Sequence, residues 1–273
     1  MNTGKLVRLN RIFSHPSGRL CSVAVDHFIV YGEGLPDGLR RIKETIGALV
    51  EARPDAVTMN IGIASSVWPS YAGLVPLILQ GSLMRPDDSA MELAATPEDA
   101  MRMGADAFAV VGFVRGASEA KYMRTIADCV REAARFEMPV ICHMYPRDFT
   151  GGGHNVSFHT EISYRPEDVA WAARCAVEVG ADVVKVPYCG DVKSYAQIVA
   201  DCPVRLVAAG GPKTRDLVEA LAMMANVVKS GAAGATIGRN IWGTEKITLN
   251  TRAFKAVVHD GMAPAEAARS VGL

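Results

Sequence analysis

The sequence of 273 residues lacks an excess of charge, a long apolar run and a C-x-x-C pair. Lysine plus arginine and aspartate plus glutamate number 29 each, which gives no electrostatic case for a nucleic-acid or membrane partner. No apolar run approaches the length of a membrane span, and no apolar signal core follows the basic residues at the N-terminus. We therefore expect a cytoplasmic protein that binds a small molecule.

The six cysteines are scattered, and several fall inside predicted strands or helices. We expect them to be reduced core residues. No histidine pair has a recognised ligand spacing beside a carboxylate, so the sequence predicts neither a metal nor a cofactor. His154 and His159 belong to a long polar, glycine-rich loop, residues 148–164, whose role the sequence leaves open.

Short apolar strands alternate with helical patterns along the whole chain. The predicted strands are Leu20–Asp26, Ala56–Asn60, the second half of Leu74–Met84, Ala107–Gly112, Pro139–Tyr145, a strand containing Lys185, Val204–Ala209 and Gly234–Gly238. Strict alternation implies a parallel sheet, and eight units predict an α/β fold of the (β/α)8 TIM-barrel class. An open doubly wound sheet is the alternative, but no G-x-G-x-x-G fingerprint follows the first strand. We expect one domain over residues 1–273, with one or two covering helices after Thr244.

Lys185 stands in the middle of an apolar run that Pro187 and Gly190 bring to an end. Side chains alternate along a strand, so Lys185 shares a face with Val183 and projects into an apolar interior. Burial lowers the pKa of an amine, and a free amine that attacks a carbonyl forms a Schiff base. The alternative is a lysine that reaches the surface or pairs with a buried carboxylate.

The active site of a barrel lies at the carboxyl ends of its strands. Asp26 and His27 close the first predicted strand, and His143 and Tyr145 end the fifth. The Asp26 carboxylate could orient substrate hydroxyls or assist proton transfer, and Tyr145 could act as a general acid or base. The alternatives are a salt bridge or helix cap for Asp26 and packing at the rim for Tyr145. With Lys185, the two residues form a proton-transfer set around a carbonyl-trapping amine.

Two glycine loops follow the last two predicted strands. Gly210 and Gly211 come after the seventh strand, and Gly238 and Arg239 come after the eighth. Barrel phosphate sites commonly use these loops, because glycine lets backbone N–H groups approach an anion and a nearby helix N-terminus favours negative charge. Arg239 could add a bidentate contact. The alternative to a phosphate site is that these glycines are ordinary turn residues. For Lys213, in the first loop, the simpler interpretation is a surface lysine.

Several stretches together resemble the archaeal-type class I fructose-1,6-bisphosphate aldolases. That group belongs to the superfamily of deoxyribose-phosphate aldolases and tagatose-type class I aldolases. The matching stretches run from the first predicted strand to the eighth and are Val25–His27, Met144–Arg147, Lys185–Asp191, Ala209–Lys213 and Gly238–Trp242.

The resemblance implies a role for each candidate. Lys185 matches the Schiff-base lysine, Tyr145 the proton-transfer tyrosine, and Asp26 the aspartate that closes the first strand. The matches to the phosphate cradle are Gly210, Gly211, Gly238 and Arg239. His27 and His143, at the same mouth, are further candidate substrate contacts. The resemblance also implies a homo-oligomer, since the family forms rings of many subunits.

Three departures from the family pattern lie near the mouth. Phe28 replaces the glycine of Asp-His-Gly, His143 stands where the archaeal aldolases commonly have tryptophan, and Asp148 replaces the glycine of Tyr-Pro-Arg-Gly. They bear on the substrate more than on the Schiff-base chemistry. We expect a class I aldolase of a phosphorylated ketose such as fructose 1,6-bisphosphate. The alternatives are a transfer enzyme, like the family's aminoheptulosonate synthase or autoinducer-2-phosphate thiolase, and a non-catalytic sugar-phosphate-binding barrel.

Overall fold

The computed structural model describes residues 2–27, 34–148 and 162–273. The strands in these ranges are β1 (Leu20–Ala24), β2 (Ala56–Asn60), β3 (Leu77–Gln80), β4 (Ser82–Met84), β5 (Met91–Leu93), β6 (Ala107–Val114), β7 (Val140–Pro146), β8 (Val183–Val186), β9 (Arg205–Ala209) and β10 (Gly234–Ile237). Eight parallel strands close into a barrel in the order β1-β10-β9-β8-β7-β6-β3-β2. The predicted (β/α)8 barrel is confirmed.

Helices cover the outside of the barrel. Those in the described ranges are α1 (Thr3–Ile12), α2 (Asp37–Arg40), α3 (Ile42–Ala52), α4 (Ile61–Val67), α5 (Pro97–Arg102), α6 (Glu119–Ala134), α7 (Pro166–Glu178), α8 (Val192–Ala200), α9 (Leu217–Lys229), α10 (Arg239–Trp242), α11 (Ile247–Asp260) and α12 (Pro264–Ser270). The predicted tail helices are α11, which packs on α3 and α9, and α12, which packs on α9 and α11. In these ranges no helix is both long and apolar enough to cross a membrane.

Alternation along the strands divides the core into two parts. On β8, Val184 and Val186 join the outer core between the barrel and its helices, whereas Val183 joins a smaller inner cluster. Lys185, two residues after Val183, is therefore on the inner face, as the sequence predicts. The barrel interior is apolar near the amino-terminal ends of the strands and polar near their carboxyl ends, where the site lies.

Helix α1 closes the amino-terminal end of the barrel. Leu9, Ile12 and Phe13, at helical spacing, pack onto inward side chains of seven barrel strands in the inner cluster. Burying these three side chains stabilises the closed end by roughly 5–8 kcal/mol, as an upper bound from the transfer of apolar surface out of water. No helix was predicted here, because the exposed apolar residues Leu6 and Val7 obscure the buried stripe.

The third apolar run contains a bend. The barrel strand β3 ends at Gln80, and the following residues form a separate antiparallel hairpin of β4 and β5. The expectation that the second half of Leu74–Met84 is the third strand is therefore only partly right. The residue between the two strands is Gly81, where the backbone passes close to Phe108. A Cβ at this position would lie 2.1 Å from the Phe108 ring. No other residue type fits this close approach without movement of the ring.

Arg147 anchors the hairpin to the end of β7. Its side chain is 2% exposed. Its guanidinium donates to the Arg115 carbonyl at 2.8 Å, to Asp88 at 2.9 Å and to the Ser118 hydroxyl at 2.9 Å. A buried guanidinium is tolerated only when its donors are satisfied in this way. The residue of the Tyr-Pro-Arg motif thus has a structural role, which fixes the strand end that carries Tyr145.

Replacing Ile12 with alanine is expected to lower the free energy of unfolding by about 2–5 kcal/mol, because it leaves a cavity beneath the barrel. Val7→Ala is the matched control: Val7 lies on the same helix and is 44% exposed, so a change below about 0.5 kcal/mol is expected. Denaturant unfolding measures both values. Equal values would show that α1 does not close the barrel.

Candidate active site

Four polar side chains meet inside the barrel near the carboxyl ends of its strands. They are Asp26, Gln80, His143 and Lys185, and none is more than 6% exposed. The Gln80 Nε2 donates to Asp26 Oδ2 at 3.0 Å and lies 3.5 Å from His143 Nδ1. His143 is beside Lys185 in the sheet register. The structure thus brings three predicted residues together and adds Gln80 to them.

Lys185 is the buried amine of this group. Its side chain is 4% exposed, and within the described ranges its amine has no hydrogen-bond or salt-bridge partner. Burial lowers the pKa of Lys185 to about 8, although the negative charge of Asp26 opposes this effect. About one molecule in ten then carries a neutral amine at pH 7. Neither alternative considered for Lys185, a surface lysine or a salt bridge with Asp26, describes what is found.

Asp26 supplies the negative charge. Burial raises the pKa of its carboxyl, but the hydrogen bond with His27 and the charges of His27 and Lys185 outweigh burial and hold the pKa well below the usual range. His27 Nδ1 lies 3.5 Å from Asp26 Oδ1, and Gln80 donates to the other oxygen. Asp26 is therefore an ionised carboxylate with a neighbour on each oxygen.

Gln80 orients both of its neighbours. Its side-chain carbonyl accepts the backbone N–H of Ser82 at 3.0 Å, which turns its amide nitrogen towards Asp26 and His143. Because that nitrogen only donates, Nδ1 of His143 is an acceptor and the ring proton belongs on Nε2. Sequence reasoning missed Gln80. The available signal was a polar residue inside the apolar run Leu74–Met84, the same signal that singled out Lys185.

His143 and Tyr145 share the inner face of β7. Burial, with the positive charge of Lys185, lowers the pKa of His143 well below 6.5, so its imidazole is neutral at pH 7. The Tyr145 ring is 9% exposed and stacks on Phe113, with 6.0 Å between the ring centroids. These contacts hold the tyrosine ring at the mouth of the barrel.

A cleft opens between Lys185 and the loops that follow β9 and β10. Its lining consists of His27, Tyr145, Ile162, Tyr164, Lys185, Pro187, Ala209, Gly210, Gly211, Thr236, Gly238 and Arg239. The predicted amine, tyrosine and glycine loops therefore share one space. A wider groove between α3 and α11 lies outside the barrel, and it contains none of these side chains.

The two glycine loops approach the cleft closely. Gly211 has a φ of +71°, which side chains other than glycine rarely adopt, and a Cβ at Gly238 would lie 2.4 Å from the His27 ring. Arg239 Nη2 lies 3.5 Å from the Gly211 carbonyl. The first turn of α9 is capped by the Asp216 carboxylate, whereas the first turn of α10, which begins at Arg239, has no side-chain cap. A contribution of a helix N-terminus to phosphate binding stays a prediction.

Asn240 joins the two glycine loops. Its side chain is 7% exposed. The amide nitrogen donates to the carbonyls of Gly210 at 3.1 Å and Pro212 at 2.9 Å, and the amide oxygen accepts the backbone N–H of Thr214 at 3.0 Å. Both ends of the amide therefore hold the first loop in its shape. The sequence showed only an asparagine after Arg239, and nothing in its pattern indicated this role.

Other candidates lie away from the cleft or cannot be placed. The Lys213 ammonium donates to the Gly243 carbonyl at 2.8 Å and does not line the cleft, which matches its simpler interpretation as a surface lysine. His154, His159 and Phe28 lie outside the described residues. Among the residues that are described, no group of three or more histidine, cysteine, aspartate or glutamate side chains is placed to hold a metal ion.

Comparison with known proteins gives consistent relatives over nearly the whole chain. Residues 20–244 match the DeoC/LacD family of aldolases. The 2-amino-3,7-dideoxy-D-threo-hept-6-ulosonate synthase of Halobacterium salinarum is 33% identical in an alignment of 274 residues that covers 100% of this chain and 98% of that protein. The class 1 fructose-bisphosphate aldolase of Thermoproteus tenax is 31% identical in an alignment of 269 residues that covers 94% of this chain and 95% of that protein.

A solved structure supports the same relationship. It is an archaeal fructose-1,6-bisphosphate aldolase whose catalytic lysine is covalently bound to the carbinolamine intermediate of the substrate. It superposes with a TM-score of 0.79 and 28% identity, over 93% of this chain and 99% of that chain. The chain belongs to the DeoC/LacD family of aldolases and is a class I, Schiff-base aldolase of the archaeal type.

Proposed function

We propose that the protein cleaves or forms a carbon–carbon bond in a phosphorylated ketose such as fructose 1,6-bisphosphate, with Lys185 as the Schiff-base lysine. The observation that carries the proposal is the buried amine of Lys185, which has a pKa of about 8 and opens on the same cleft as two glycine loops. Fructose-bisphosphate aldolases among the similar proteins support the choice of a phosphorylated ketose.

Lys185 begins the reaction by attacking the ketone carbon. The carbonyl oxygen leaves as water and an iminium ion remains. The positive nitrogen accepts the electron pair of the bond between the α and β carbons of the iminium ion. This bond therefore breaks, and the products are an aldehyde and an enamine. Tyr145 takes the proton from the hydroxyl that becomes the aldehyde and returns a proton to the enamine carbon. Water then hydrolyses the iminium, which frees the second product and Lys185.

Asp26 acts in this scheme as a fixed negative charge. A carboxyl whose pKa is held well below its usual range does not carry a proton at neutral pH. It therefore stabilises the developing iminium charge and orients substrate hydroxyls, while Tyr145 moves the protons. Two histidines stand beside this charge. His27 is a partner of Asp26, and His143 contributes a neutral imidazole.

The two glycine loops hold the phosphate. Gly210 and Gly211 on one side, and Gly238 and Arg239 on the other, line the cleft beside Lys185. The N–H of Gly210 donates to the Thr236 carbonyl at 2.8 Å, so the other backbone N–H groups of the two loops and the guanidinium bind the phosphate oxygens. This contact aims the ketone carbon at the amine. The sugar phosphate is thus positioned before any bond changes.

A transfer reaction at the same site is the second candidate. The Halobacterium relative is named as an aminoheptulosonate synthase, and His143 gives a polar wall where the archaeal aldolases commonly have tryptophan. In this reaction the enamine attacks a second aldehyde instead of taking a proton. A rate that depends on an added acceptor, without simple cleavage, distinguishes the two. Membership of an enzyme family removes the non-catalytic barrel as a candidate. A homo-oligomer remains a prediction.

Lys185→Ala is expected to abolish turnover and the covalent adduct, because Lys185 is the one lysine among the described residues that line the cleft. Borohydride reduction with dihydroxyacetone phosphate, followed by peptide mass measurement, detects the adduct. Lys193→Ala, at an exposed lysine on α8, is the matched control and should keep both. Retained turnover in the Lys185 variant would show that Lys185 is not the Schiff-base lysine.

The initial rate of adduct formation is expected to rise about tenfold per pH unit and level off near pH 8, because only the neutral amine of Lys185 attacks. Asp26 raises the pKa of this amine, so Asp26→Asn should move the midpoint to lower pH. Rapid-quench mass measurement across pH 6–10 follows both proteins. A wild-type midpoint near 10, or an upward shift in the variant, would contradict this account of the site.

Asn240→Asp is expected to weaken inorganic phosphate binding by about tenfold, because a carboxylate cannot donate to two carbonyls and would repel them and the anion. Calorimetric titration of phosphate measures the change. Asn226→Asp, at an exposed position on α9, adds the same charge elsewhere and should leave the affinity unchanged. Equal affinities in the two variants would mean that Asn240 does not shape a phosphate site.

A further inference from the structure

Asn60 is a polar residue of the barrel mouth that the mechanism does not use. It is the last residue of β2 and is 8% exposed. Ala56, four residues earlier on the same strand, belongs to the inner cluster, so alternation turns Asn60 to the inner face. Its register partner is Gln80, one of the four polar residues of the site. Asn60 therefore extends the polar ring of the mouth to β2.

The side-chain oxygen of Asn60 is uncommitted. Its amide nitrogen makes one long contact, 3.4 Å to the Asp26 carbonyl, but its Oδ1 is buried without a hydrogen-bond partner in the described part of the chain. The Thr58 hydroxyl, on the same face, is also unpaired. Unpaired buried acceptors are rare in folded proteins. The unpaired Oδ1 of Asn60, whose register partner is a residue of the active site, is thus an acceptor that a ligand can satisfy.

The strand order places Asn60 on the far side of the mouth from Lys185. Four steps around the barrel separate β2 from β8 in either direction, and four steps separate β3 from β9, the neighbour of β8. A ketose phosphate with its phosphate at the loops after β9 and β10, and its ketone at Lys185, reaches β2 and β3 with the part of its chain that crosses the mouth. That half of the substrate becomes the aldehyde.

Among the described residues, the polar side chains that stand beside Asn60 at the mouth already have partners. Gln80 uses its oxygen on Ser82 and its nitrogen on Asp26. The Asp26 carboxylate has neighbours on both oxygens, Gln80 and His27. Asn60 Oδ1 is therefore an acceptor that could bind a substrate donor without losing a protein partner in the described part of the chain.

We propose that Asn60 Oδ1 accepts a hydrogen bond from a hydroxyl or ammonium group on the aldehyde fragment. Asn60 is in this view a specificity residue, which favours aldehydes with a donor near the reacting carbon over aldehydes without one. A site built to satisfy a polar group rejects analogues that lack its partner, because the group is then buried unpaired. This proposal rests on the proposed aldolase function and adds the recognition of the second substrate half.

The test uses the aldol addition of dihydroxyacetone phosphate to three aldehydes: D-glyceraldehyde, 3-aminopropanal and propanal, which has no donor. The wild-type protein is expected to prefer an aldehyde with a donor, and the better of the first two identifies the donor as hydroxyl or ammonium. Asn60→Leu should lower kcat/KM for that aldehyde by about tenfold and leave propanal unchanged. Asn60→Asp keeps an acceptor and should retain the preference.

Borohydride trapping with dihydroxyacetone phosphate distinguishes a failure of the proposed aldolase function from a failure of the proposed role of Asn60. This adduct involves only the ketone half, so it should form equally in the wild-type protein and in the uncharged variants Asn60→Leu and Asn60→Ala. No adduct in the wild-type protein would overturn the proposed function together with this inference. Equal adducts with an unchanged aldehyde preference in Asn60→Leu would overturn the inference alone. Asn60→Ala serves in the same assay if the leucine variant does not fold.

Discussion

Closing eight parallel strands sends every second side chain into an interior that α1 shuts at one end. An ionisable group on that inner face is held away from bulk water, so its protonation depends on the other inner groups. Lys185, Asp26 and His143 all lie there, and the pKa of each is displaced by burial and by the neighbouring charges. The closure that stabilises the fold is therefore also what sets the charge state of the site.

Two buried amides fix the geometry of the site without adding charge. Gln80 uses its oxygen on a backbone N–H and its nitrogen on Asp26. Asn240 uses its nitrogen on two carbonyls of the first glycine loop and its oxygen on a backbone N–H. An amide can serve donors and acceptors at once, which neither a lysine nor a carboxylate can do. Orientation and charge are thus supplied by different residue types.

The sequence allowed the barrel and the inward face of Lys185 to be predicted, because both follow from periodicity along the chain. It did not allow the bend at Gly81, because a glycine inside an apolar run does not reveal that Phe108 occupies its side-chain space. Gln80 and Asn240 were missed for a related reason. Their partners are distant or are backbone groups of neighbouring loops, and no local spacing encodes such contacts. Helix α1 was missed because exposed apolar side chains, those of Leu6 and Val7, stand beside its core positions.

The contact between His27 and Gly238 connects the loop after β10 to the Asp26 carboxylate. The imidazole lies where a side chain at Gly238 would be, packs edge-on against Trp242 and reaches Asp26 on its other side. A loop with any larger residue at this position would push the imidazole, and through it the carboxylate. Grafting a foreign loop here would therefore disturb the Asp26 carboxylate as well. Redesign of this barrel has more freedom in the loop after β9, whose shape Asn240 controls independently of Asp26.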